Sequence, residues 1–235
     1  MRLFLTGATG FLGSYVLQVL LQDGHQVMAL VRRDIPHRPG CQAVRGDITQ
    51  PDLGLAELPA KCDAVIHCGG EVIFRPKDPD LLEKVNVQGA QNVARLAWRW
   101  GVPLYHVSTA YVCGSYQGRF YPEQLDVGQS FRNPYEESKY RAEKALQSMD
   151  GLRAVILRPS ILVGDSQVRG LPPLHGIYIA VRAIAHAKGW VERTMDLPPL
   201  QPTIRLRAVP EATLNLVPVD VVARQIVDLA VRAKV

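Results

Sequence analysis

Along the first two thirds of the chain, short apolar and β-branched runs alternate with longer stretches of helical periodicity. The runs Arg2–Thr6, Gln26–Val31, Gln42–Arg45, Ala64–His67, Leu104–Ser108 and Ala154–Arg158 are mostly continuous in hydrophobicity. That pattern suits strands covered on both faces of a parallel sheet. Between them, Phe11–Asp23, Asp80–Trp100 and Pro134–Met149 place apolar residues at helical spacing, with Leu17, Leu20 and Leu21 marking the buried face of the first. The alternation predicts an α/β fold built on a doubly wound parallel sheet with right-handed crossovers.

After Ser160 the pattern breaks. Seven of the 17 prolines fall between Pro172 and Pro218. Proline removes ladder donors and interrupts helices, so this stretch is expected to leave the sheet and form a small irregular lobe. One helix is predicted near Ile177–Ala187, and an amphipathic closing helix near Val219–Lys234.

Composition narrows the class. The 235 residues are 47% hydrophobic and 21% charged, which suits a continuous core and excludes intrinsic disorder. No apolar run approaches the roughly 18–20 residues of a membrane span. The apolar start is too short for a signal-peptide core, so a cytoplasmic protein is expected. The net charge of +5 comes from 20 Arg against 7 Lys, scattered along the chain. Without a basic run or a zinc-finger spacing, nucleic-acid binding is not expected. Cys41, Cys62, Cys68 and Cys113 have no CxxC spacing, so no metal site is expected.

Candidate chemistry begins at the first strand–helix turn, Thr6-Gly7-Ala8-Thr9-Gly10-Phe11-Leu12-Gly13. Gly7 permits a tight turn, Gly10 lets the backbone approach a pyrophosphate, and Gly13 lets helix and strand pack closely. The helix N-terminus then faces the phosphates. This is the dinucleotide turn of a Rossmann fold, and Gly7, Thr9, Gly10, Phe11, Leu12 and Gly13 are its expected contacts. Arg32 and Arg33 follow the second strand, where an acidic residue usually holds a ribose 2′-OH. Arginine there suits a 2′-phosphate and favours NADP(H), while Asp34 keeps NAD(H) open. Asp47 and Ile48 after the third strand are expected at the adenine, and Cys68 and Gly69 after the fourth at the ribose. His67 alone reads as a structural histidine.

The fifth strand runs into Ser108 and Thr109, at the ligand edge of such a sheet. The helix after Asn133-Pro134 carries Tyr135 and Lys139 four residues apart, on one face. A lysine ammonium beside the phenol is expected to lower its pKa and make Tyr135 a general acid or base. Tyr140 and Lys144 repeat the spacing, but Tyr140 lies about 140° further round the helix. The Asn133-Pro134 start favours Tyr135, and Tyr140 reads as packing or surface.

These residues resemble the extended short-chain dehydrogenase/reductase superfamily, of the NAD-dependent epimerase/dehydratase type. The matching segments are TGATGFLG (6–13), GDIT (46–49), NVQGAQNV (86–93), STAYVCG (108–114), NPYEESKYRAE (133–143), RPSILVGD (158–165) and NLVPVDVVA (215–223). The resemblance implies a catalytic Thr109, Tyr135 and Lys139, with Ser108 beside them and Lys139 also on the nicotinamide ribose. It implies that Asn86 supports a proton-relay water and that Pro159 and Ser160 lie against the nicotinamide. GFLG, STAYV and NLVPVD are most similar to the male-sterility or thioester-reductase-like branch, whose members reduce fatty acyl or carrier-bound thioesters with NADPH.

The leading expectation is therefore an NADP(H)-dependent oxidoreductase acting on a carbonyl, with a small molecule, such as an acyl thioester, as substrate. A nucleotide-sugar epimerase or dehydratase, and a non-catalytic dinucleotide-binding regulator or assembly factor, are the alternatives. Residues 1–165 would bind the dinucleotide. Residues 166–235 would form a small substrate lobe and closing helix on the same domain, with Tyr178, His175 and Trp190 as lining candidates. So short a lobe predicts an open, shallow or partner-completed substrate site. Asp80–Trp100 and Pro134–Met149 pair subunits in many relatives, so a homodimer is expected.

Overall fold

The computed structural model describes residues 1–168, 178, 185–186 and 213–232. His175, Trp190 and most of the helix expected near Ile177–Ala187 lie outside them, although Tyr178, Ala185 and His186 are helical. In chain order the main elements are β1 (Arg2–Thr6), α1 (Phe11–Gln22), β2 (Gln26–Val31), β3 (Cys41–Arg45) and β4 (Ala64–His67). A π-helical turn (Glu83–Gln88) leads into α2 (Gly89–Trp100), followed by β5 (Leu104–Val107), α3 (Pro134–Gln147) and β6 (Ala154–Leu157). The chain closes with β7 (Ile161–Val163), β8 (Leu216–Pro218) and α4 (Val219–Arg232).

Six strands form one parallel sheet in the order β3-β2-β1-β4-β5-β6. The order reverses between β1 and β4, so the two neighbours send the chain to opposite sides of the sheet. That divergence opens a crevice at their carboxyl ends. Thr6 pairs with His67 there, and His67 pairs with His106 on β5.

Side-chain alternation along the strands builds two cores. Leu3 and Leu5 of β1, Val27, Ala29 and Val31 of β2, and Ala64 and Ile66 of β4 face α1 and α4. Leu12, Val16, Leu17 and Leu20 of α1 pack there beside Val222, Ile226 and Val227 of α4. Phe4, Met28, Leu30, Val65 and Leu104 face the other way, onto Val93, Leu96 and Trp100 of α2 and Leu146 of α3. Phe4 and Trp100 meet edge to face at 5.5 Å. Each such apolar side chain contributes about 1.5–3 kcal/mol by leaving water.

Two departures from expectation matter for the site. The helix expected over Asp80–Trp100 is widened by the π-helical turn, a distortion common at functional sites. The proline-rich stretch does return to strand, as β8. That strand pairs in parallel with β7 as a separate two-stranded sheet and ends on Pro218, where no further ladder donor is needed.

Candidate active site

The carboxyl ends of β1 and β4 meet at glycine. Gly7 has φ +74°, and a Cβ on it would lie 2.6 Å from the Cys68 carbonyl and the Gly69 nitrogen. A Cβ on Gly13 would lie 2.0 Å from the Gly7 carbonyl oxygen. Only glycine lets β1, α1 and the turn after β4 come this close. Thr9 and Gly10 stay exposed, and α1 starts on Gly10 with no side-chain cap and no acid in its first turn. That helix end fits the pyrophosphate of a dinucleotide. Leu12 turns into the core, and Phe11 lies edge to face with Tyr15.

Arg32, Arg33 and Asp34 are all exposed just beyond β2, on the same carboxyl edge. Asp47 Oδ1 accepts from both the nitrogen and the hydroxyl of Thr49, so this carboxylate braces its own turn. Ile48 packs against Gly69 and Gly89. The Cys68 thiol is pushed up to about 12 by burial, against a smaller downward pull from Lys139, so it stays protonated.

The β4 turn is held from both sides. Thr6 Oγ1 and His67 Nδ1 are 2.6 Å apart, and the Gly69 nitrogen donates to the same hydroxyl. Asn86, in the π-helical turn, accepts from the Glu71 nitrogen and donates to the Glu71 carbonyl and the Ser138 hydroxyl. Ser138 in turn donates to the Tyr135 carbonyl. Asn86 thus ties the loop after β4 to the first turn of α3. That loop carries Phe74, whose ring is 6.0 Å from the Tyr135 ring.

The helix α3 starts where its sequence says it must. Asn133 Oδ1 accepts from the Glu136 nitrogen, Pro134 fills the first helical position, and the Glu136 carboxylate reaches back to the Asn133 amide and the Arg132 nitrogen. This reciprocal cap aims Tyr135 at β5. The Thr109 hydroxyl lies beside the Tyr135 phenol and favours its ionised form, and it caps the short turn Ala110–Cys113 through the Tyr111 nitrogen. The Ser108 hydroxyl is buried with no hydrogen-bond partner among the described residues. Pro159 accepts from the Ala110 nitrogen, and Ser160 donates to the Asn215 carbonyl.

One electrostatic expectation is corrected. The phenol of Tyr135 is pushed up, not down: burial dominates, the Thr109 hydrogen bond opposes it, and Glu136 adds to it. Lys139 does not act on that phenol. Its ammonium donates to the Val107 carbonyl at 2.7 Å, and burial lowers it to about 8 against the pull of Glu143. Tyr140 and Lys144 lie elsewhere, with Lys144 on exposed Asp126 at 2.8 Å.

Two features have no counterpart in the sequence reading. Glu143, fully buried one turn past Lys139, takes a forked pair of bonds from Arg158. Its signal was present as an acid four residues after Lys139 on the same helix face. His67 and His106 stack at 5.1 Å beneath Lys139, fully buried. Burial holds His67 at about 3 and His106 well below its usual range, with Lys139 adding to both. His67 is therefore structural, as expected. Both His106 nitrogens and His67 Nε2 lack partners among the described residues.

Comparison with known proteins agrees with this geometry. The NAD dependent epimerase/dehydratase family matches residues 3–199. A polyketide synthase-nonribosomal peptide synthetase of Aspergillus clavatus is 33% identical over 210 residues, covering 79% of this chain and 5% of that protein. The terminal R domain of the myxalamid PKS-NRPS pathway superposes with TM-score 0.77 at 30% identity, covering 98% of this chain and 63% of that one. A thiolation-reductase di-domain from an archaeal non-ribosomal peptide synthetase superposes with TM-score 0.74 at 20% identity, covering 97% of this chain and 67% of that one. This chain therefore spans a small part of the curated synthetase and about two thirds of the solved reductase structures.

Proposed function

The chain belongs to the NAD dependent epimerase/dehydratase family of extended short-chain dehydrogenases/reductases, and from that premise we propose an NADP(H)-dependent reductase of acyl thioesters. The observation that carries the reading is Tyr135, set beside Thr109 just past the end of β5 by the cap of α3, with its phenol raised in pKa by burial. A phenol that keeps its proton at neutral pH is suited to donate to an oxygen that becomes negative, as a reduced carbonyl does. The likeness to reductase domains of thioester-bearing synthetases supports a carrier-bound or coenzyme-bound acyl group as substrate.

In this reading the turn Gly7–Gly13 would hold the dinucleotide and Arg32 or Arg33 its 2′-phosphate, and the bound group would supply a hydride. The chain's own groups do the rest. Thr109 and Tyr135 hold the thioester oxygen, Tyr135 gives that oxygen its phenolic proton, and Lys139 keeps a positive charge behind it. Ser108, with its hydroxyl free of other bonds among the described residues, is a further donor at the same edge. Residues 1–165 would serve the dinucleotide, and residues 166–235 would supply a small substrate lobe and the closing helix packed on the same domain. The test is NADPH oxidation with a panel of acyl-coenzyme A thioesters and aldehydes. Turnover is expected in the wild type and a loss of at least ~100-fold in Tyr135→Phe with NADPH affinity kept. Equal turnover in that variant removes Tyr135 from the chemistry. A preference for NADH that survives Arg32→Ala and Arg33→Ala removes the 2′-phosphate argument.

A further inference from the structure

Lys139 occupies a place where an ammonium is poorly supported. It is 4% exposed, and burial is the largest influence on its charge. Its ammonium donates to the Val107 carbonyl of β5, and it acts electrostatically on neutral His67 of β4, on neutral His106 of β5 and on the protonated Cys68 thiol just after β4. One helical turn further along α3, on the same face, lies the carboxylate of Glu143, whose negative charge favours the ammonium. Glu143 is itself 0% exposed. Its two oxygens are fixed by Arg158, whose Nε reaches both and whose Nη2 lies 2.7 Å from Oε2. A second arm of the same guanidinium donates to the Pro122 carbonyl, and its plane lies over the Phe120 ring at 5.5 Å. Arg158 immediately precedes Pro159 and Ser160, so one side chain fastens α3, the end of β6 and the loop around Phe120.

A buried ion pair of this kind contributes little net stability over an apolar pair of the same shape. Its placement beside a buried lysine gives it another use. We infer that Glu143, held in place by Arg158, is a positioning residue for Lys139: its carboxylate keeps the Lys139 nitrogen charged and seated on the Val107 carbonyl. The inference rests on the proposed reductase reading only for its catalytic consequence. The charge state of Lys139 is a property of the chain by itself.

The test follows the Lys139 ammonium directly, by carbon NMR of the full chain labelled at the lysine side-chain ε-carbon, with the Lys139 signal identified by its loss in Lys139→Arg. The wild-type midpoint is expected at about 8. In Glu143→Gln it falls, so that at pH 8 the ratio of charged to neutral Lys139 drops about tenfold. The alkaline limb of NADPH oxidation with dodecanoyl-coenzyme A moves down in pH by the same interval. Glu143→Asp recovers part of both, and Lys144→Met on the exposed face changes neither. Glu143→Gln leaves Arg158 without its counterion and could unfold. The double substitution Glu143→Gln with Arg158→Met removes both charges and is expected to lower the midpoint as well, by a smaller interval. An unchanged Lys139 midpoint in a folded Glu143→Gln or in the double variant overturns the inference and leaves the pair a staple between α3 and β6. Failure of the wild type to turn over any acyl thioester overturns the reductase reading, and the carbon titration still decides the role of Glu143.

Discussion

At the scale of single residues, the site is built from groups whose charge states are set by burial. Lys139 falls from an ordinary 10.5 to about 8, so burying its charge opposes folding. The unfolded chain binds the proton more tightly between those two values, and stability therefore rises with pH across that window. Below about pH 8 the full penalty is present. Lys139→Met is expected to abolish turnover and to raise stability at pH 7 by about 1–2 kcal/mol, part of the gain being offset by the bond lost at Val107. The advantage should shrink between pH 8 and 10.5, and urea titrations at several pH values measure it. A variant less stable than the wild type at pH 7 would contradict the burial argument.

The histidine pair has the same sign at lower pH. His67 and His106 bind protons more weakly folded than unfolded, so the stability they allow is full above about 6.5 and is lost as pH falls below it. His106→Phe keeps the stack against His67 and removes two partnerless nitrogens. It is expected to gain about 1 kcal/mol at pH 7 and to flatten the acid slope of the melting temperature. A steeper slope would mean that His106 has a partner.

At the scale of elements, α3 carries the most consequence for its length. Its N-cap sets where Tyr135 points, and its third turn carries Glu143. Asn133→Ala removes one cap bond and should cost about 1 kcal/mol. Turnover is expected to fall by more than stability alone explains, because Tyr135 lies in the frayed turn. Circular dichroism melting beside single-turnover kinetics separates the two effects, and a proportionate fall in both would make the cap purely structural. The start of α3 was legible in the sequence because Asn133-Pro134 is a local signal. The strands were legible for the same reason, since continuous apolar runs such as Ala64–His67 have few other uses. The π-helical turn that places Asn86 was not legible, because a wider turn confined to Glu83–Gln88 is too short for its changed period to show in the apolar pattern. The Arg158–Glu143 pair was hidden because its partners come from different elements. The lowered phenol expected from Tyr135 and Lys139 failed for a related reason: spacing puts two side chains on one face but does not say which atom the ammonium meets. Here it meets the Val107 carbonyl.

At the scale of the molecule, α4 is the return of the chain to its own beginning. Val222, Ile226 and Val227 pack on α1 and the β1–β2 face, and Arg224 pairs with Asp23 at the end of α1. Ile226→Ala should therefore cost about 2–5 kcal/mol, as deep large-to-small changes do. Its effect should also reach the glycine turn, because α1 is the element that turn launches. A chemical denaturation curve measures the first, and NADPH affinity in the folded variant measures the second. A loss below 1 kcal/mol would place α4 outside the cooperative core.

The small sheet of β7 and β8 has a consequence of a different kind. Ile161–Val163 and Leu216–Pro218 lie side by side, and Ser160 bonds to Asn215 just ahead of the second strand. The interval 164–215 thus begins and ends on two paired strands, like the two cut ends of a cassette. Doubling the length of a loop with pinned ends adds only about 0.6 kcal/mol of closure entropy. Residues 164–215 are therefore expected to be exchangeable as a unit: a lineage, or an engineer, can swap that interval for one of another length while the six-stranded sheet stays as it is.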